Sequence, residues 1–88
     1  DNPGAHSNLG AAYVKLGRYD EAIKEYRTAV EADPKNATFL FNLALAYYKS
    51  AQIPPAAEAF ARVLQAQRDH LNARLLLGDC YLQMGRFQ

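Results

Sequence analysis

The chain has 88 residues, 50% of them apolar and 22% charged, which suits one small folded unit rather than a catalytic domain joined to a second one. Ten Lys and Arg against nine Asp and Glu leave a net charge of +1, without the basic excess of a nucleic-acid binder or of a surface that seeks anionic membranes. The single cysteine, Cys80, excludes an internal disulfide framework and a multi-cysteine zinc site, and no apolar run approaches the roughly 20 residues that span a bilayer.

In chain order, His6, Leu9, Gly10, Tyr13 and Leu16 recur at three- and four-residue steps and predict a first helix. It ends at Gly17-Arg18, because glycine takes the left-handed cap conformation without steric cost. Asp20 and Glu21 open a second helix, acidic at the positive end of its dipole, with an apolar stripe of Ala22, Ile23, Tyr26, Ala29 and Val30. Asp33-Pro34 closes it, since the residue before proline is pushed out of helical geometry. A third helix is expected over about 37–50 and a fourth over about 54–67, with Pro54-Pro55 in a first turn where no backbone donor is lost. A fifth is expected over about 71–84, and no segment alternates like a strand. The expected class is all-α.

One offset brings the chain into step with itself. Leu9-Gly10, Leu43-Ala44 and Leu77-Gly78 lie 34 residues apart, as do Tyr13, Tyr47 and Tyr81, then Gly17, Ala51 and Gly85, then Tyr19, Ile53 and Phe87. Ala22 matches Ala56 and Tyr26 matches Phe60. Small residues repeat with small ones and large with large, which a repeated packing geometry demands. Gly10, Ala44 and Gly78 leave notches in the odd-numbered helices where the even-numbered ones approach, Ala22, Ala29 and Ala56 serve the seam from the other side, and the aromatics fill the space beside it.

Asn8-Leu9-Gly10, Tyr13, Gly17, Tyr19, Ala22, Tyr26, Ala29 and Asp33-Pro34, on a 34-residue period, resemble the tetratricopeptide repeat over essentially the whole chain. Residues 3–36 and 37–70 read as two repeats, 71–88 as the first helix of a third, and 1–2 as a remnant of what precedes. The second unit departs where Ala44 and Ala51 replace glycines and Arg68 stands in the place of Pro34, and His6, Leu40 and Arg74 replace the family's bulky aromatic near the start of the unit. The resemblance implies a right-handed superhelix of antiparallel helix pairs whose first helices line a concave groove. It also implies that Leu75, Leu76, Leu77, Tyr81, Leu82 and Phe87 of the last helix leave an uncapped apolar edge, a candidate for self-association.

Helical spacing puts Ser7, Asn8, Ala11, Val14 and Lys15, then Phe41, Asn42, Leu45, Tyr48 and Lys49, then Asn72, Leu75, Leu76, Asp79, Leu82 and Gln83, on the groove side. Asparagine can both donate to and accept from a peptide backbone, which is the expected role of Asn8 and Asn42. Phe41, Leu45 and Tyr48 are expected to receive apolar side chains, and Leu75 to be structural. Relatives that clamp acidic chaperone tails use lysine, asparagine and arginine. Here only Asn42 matches, while Ser7, Ala11, Asn72 and Leu76 do not, so that ligand is not expected.

No HExxH, CxxC, phosphate loop or GxGxxG occurs, His6 and His70 stand far apart, and Cys80 falls in register with Ala12 and Ala46 as a small buried residue. No enzyme activity, metal or cofactor is therefore expected. The expected function is a protein-interaction module that takes a peptide, with neither nucleic acid nor membrane as partner. A structural, oligomerising segment of a longer array and the docking arm of an enzyme remain as alternatives. Localisation is left open, with the cytoplasm the default.

Overall fold

The computed structural model describes residues 2–85, so Phe87 of the aromatic series lies outside the described residues. Five α-helices follow one another: α1 (Pro3–Lys15), α2 (Tyr19–Ala32), α3 (Ala37–Lys49), α4 (Ile53–Ala66) and α5 (Leu71–Gln83). Each packs on the next, and α1 also touches α3, so the helix pairs stack into an elongated body of 42 × 26 × 17 Å.

The start of every odd helix is fixed by one device. Asn2, Asn36 and His70, each 34 residues from the last, are the N-caps of α1, α3 and α5. Asn2 accepts from the Gly4 N–H at 2.8 Å, Asn36 from Phe39 at 3.1 Å, and His70 Nδ1 from Ala73 at 3.1 Å, each satisfying a first-turn donor that no intrahelical carbonyl reaches. The turns between pairs repeat as well. The Asn36 N–H donates to the Asp33 carbonyl at 3.1 Å, and the His70 N–H donates to Gln67 at 3.2 Å, so the turn closes alike although Arg68 stands where Pro34 did. Within pairs, Gly17 and Gly85 adopt φ of 74° and 75°, and Ala51 is forced to 63° at the same place.

Close approach at the notches is what seats the even helices. A Cβ on Gly10 would stand 2.7 Å from the Tyr26 ring, so the ring occupies the space a side chain would need. Ala44 is fully buried in the α3–α4 pair, and so is Phe60, the counterpart of Tyr26. Ala22, Ala29, Ala56 and Val63 are likewise buried along the seam. Burying a ring of this size contributes roughly 1.5–3 kcal/mol.

The last notch is empty. Nothing lies within 4 Å of a Cβ built on Gly78, and Leu71, Leu75 and Leu82 are 64%, 62% and 59% exposed. Leu75, expected to be structural, is exposed among the described residues. Its counterpart Phe41 is covered by α4 and the turn beyond it, and no described element follows α5 to do the same for Leu75.

Two expectations follow for stability, both measured by thermal and urea unfolding. Gly10→Ala should cost about 1–3 kcal/mol by overpacking against Tyr26, whereas Gly78→Ala should be neutral or gain about 0.5–1 kcal/mol because a helical glycine is replaced with nothing in its way. Ala51→Gly should gain about 1 kcal/mol by relieving an L-residue held at positive φ, a rise of several degrees in Tm for a chain of this size.

Candidate interaction groove

α1, α3 and α5 present the face that sequence spacing assigned to ligand. Six of the residues on that face, Ala11, Val14, Lys15, Asn42, Leu45 and Lys49, line one pocket of about 270 Å3 together with Ala46 and Tyr26. Its walls belong to α1 and α3, and Tyr26 reaches it from α2. Val14, Leu45 and Ala46 give the walls apolar surface, while Lys15 and Lys49 stand at the C-terminal turns of their helices, where a cation suits the dipole. Neither lysine forms an ion pair with a carboxylate among the described residues.

Asn42 is already partly engaged. Its amide donates to the Oγ of buried Ser7 at 3.2 Å, tying α3 to α1, and its remaining N–H and carbonyl oxygen are left for other partners. Asn8, its counterpart one repeat earlier, is exposed on α1 and makes no side-chain hydrogen bond among the described residues.

Phe41, Tyr48 and Asp79 lie outside the pocket. The Phe41 ring sits 5.8 Å from Phe60 and 4.6 Å from His70, and the Tyr48 ring meets Phe60 edge-on at 6.2 Å, so both rings, each half-buried, cover Phe60. The Tyr48 hydroxyl donates to Asp79 of α5, which also accepts from Gln83 at 2.7 Å. The Tyr48 bond, and then the Gln83 bond, hold the Asp79 carboxyl below its usual range, while the same carboxylate raises the Tyr48 phenol. A bond between residues 31 positions apart links neighbouring odd helices. Helical spacing alone names the face of each but not the partner.

Other polar groups serve the fold. His6 Nδ1 meets Glu25 at 2.8 Å across the first pair. Cys80 is buried, and burial followed by the nearby Asp79 charge raises its thiol pKa, the opposite of what activates a nucleophile. Among the described residues no three His, Cys, Asp or Glu gather as a metal site, and no helix is long and apolar enough to cross a membrane. A cavity of about 300 Å3 opens on the other side, between α2 and α4, but Arg27, Glu31, Glu58 and Arg62 around it select neither sign of charge.

Comparison with known proteins agrees with this architecture. The TPR repeat family model matches residues 12–50, and two tetratricopeptide repeat models match 39–70 and 55–88. The chain is 33% identical over 82 residues to the mouse (Mus musculus) protein O-mannosyl-transferase TMTC2, covering 90% of this chain and 10% of that protein. It thus spans about a tenth of the curated relatives it matches. A crystal structure of MamA superposes with a TM-score of 0.90 at 25% identity, covering 97% of this chain and 50% of that one. The first TPR of Spaghetti (RPAP3), bound to the HSP90 peptide SRMEEVD, superposes at 0.86 with 26% identity, covering 96% of this chain and 68% of that one. The period, the notched seam and family models that together run from residue 12 to residue 88 establish that the chain belongs to the tetratricopeptide repeat family.

Proposed function

We propose that this chain is an interaction segment of a tetratricopeptide array and holds a short peptide of a partner protein in the pocket between α1 and α3. The observation that carries the reading is the gathering of apolar walls, one amide and two cations in a single opening between α1 and α3. Spaghetti (RPAP3), a structural neighbour at 26% identity, is bound to a peptide, which supports a peptide as the ligand class. Balanced charge favours protein over nucleic acid or an anionic membrane. The segment itself is read as non-catalytic. The transferase activity in the name of TMTC2 is a property of a protein of which this chain covers a tenth. A pocket this small supports micromolar affinity, about −8 kcal/mol.

A second reading is favoured by the exposed Leu71, Leu75 and Leu82, which suit an oligomerising or array-extending segment.

The two readings separate in one capture experiment. Leu45→Asp and, as an exposed-site alternative, Ala11→Gln put polar bulk into the pocket. At helicity equal to wild type, both should lose the proteins that wild type captures from lysate. Equal capture by all three, together with concentration-dependent association in sedimentation, would replace the peptide reading with the oligomerising one.

A further inference from the structure

The opening between α2 and α4 is lined by Val30, Leu43 and Tyr47 together with four exposed charges, Arg27 and Glu31 of α2 and Glu58 and Arg62 of α4. None of the four lines the pocket between α1 and α3, so this side stands apart from the peptide reading. On each helix the acid and the base are four residues apart, and opposite signs border one opening, yet none of the four forms a hydrogen bond or ion pair among the described residues.

Their order is what distinguishes them. α2 and α4 hold the same place in successive repeats and run the same way, so α2 reads base then acid and α4 reads acid then base. Glu58 lies three residues before the counterpart of Arg27, and Arg62 three before the counterpart of Glu31. Both pairs thus share one offset, about 4.5 Å along the helix, which an arginine side chain spans. Turned over about an axis along the helices, this face sets each charge against its opposite. A balanced face gives no hold to a simple anion or cation, but it is complementary to itself.

The surface is also broad. Openings of about 300 and 460 Å3 adjoin the first, one sharing Arg27 and Glu31 and the other sharing Arg62, so together they run from Asp20 to Ala66. That breadth suits a protein face rather than a small zwitterion.

We infer that a second copy of this chain docks on this side, each copy laying its α2 along the other's α4. Arg27 then meets Glu58 of the second copy and Glu31 meets its Arg62, each pair twice over by symmetry. Exposed ion pairs contribute little apiece, so the association is weak and sensitive to salt.

The test is sedimentation of the whole chain at rising concentration. Wild type should self-associate below about 1 mM, and the association should fade as salt is raised. Arg27→Glu and Glu58→Arg, at helicity equal to wild type, should each weaken it about tenfold, because symmetry turns two attractions into repulsions. An equimolar mixture of the two variants should recover the wild-type association, since each then finds the opposite charge it lost. Recovery on mixing cannot come from an effect within one chain. Failure to recover would overturn the inference, as would a chain that stays monomeric throughout. Association that ignores salt and Arg27→Glu, but is lost in Leu75→Glu with Leu82→Glu, would assign the contact to α5 and overturn it too.

Discussion

Two helices can approach only as closely as the side chains between them permit, and in this chain the limit is set at Gly10 and Ala44. The missing Cβ of Gly10 is the space that the Tyr26 ring fills, and fully buried Ala44 keeps the second pair equally close beside Phe60. A helix seated that deeply has its aromatic residue reaching through the pair toward the opposite face. The seam therefore does more than bury area: it sets which atoms of α2 and α4 arrive beneath the odd helices. Tyr26 arrives at the bottom of an open pocket, and Phe60 under a lid of two rings.

Stacking then proceeds by reuse. The caps at Asn2, Asn36 and His70 start each odd helix at the same phase. The turns at Gly17 and Ala51 send α2 and α4 back along the same path, with Gly85 adopting the same left-handed backbone after α5. Ala51 shows how firmly the path is imposed, because it holds a left-handed backbone that alanine resists. Leu75 and Leu82 of α5, exposed among the described residues, stand at the places of Phe41 and Tyr48, which pack on Phe60 of α4 in the previous unit.

Much of this was legible in the sequence. The 34-residue offset located all five helices to within about a residue at each end, because notch, cap and turn residues recur in phase. The side-chain caps were equally available, since asparagine or a ring nitrogen stands at each start, but a period read from apolar residues passes over polar positions. Of the groove, Lys15, Asn42, Leu45 and Lys49 followed from helical spacing. Spacing could not say that the Phe41 and Tyr48 rings also pack on Phe60, because it fixes the direction of a side chain from its own helix and is blind to the neighbour it meets. It also missed Tyr26, a core residue of α2 that also lines the pocket. That double duty lies within one side chain, below the resolution of any residue-level pattern.

The pair Ser7 and Val14, one repeat before Phe41 and Tyr48, gives the array something like an alphabet. Whether an interval is open or shut is written at positions outside the notches. Recognition can therefore drift in evolution, or be rewritten by design, while the scaffold keeps its spacing. The exchange Phe41→Ser with Tyr48→Val would add an opening one interval along, and a chain of such units would read a longer ligand by the order in which its intervals are left open.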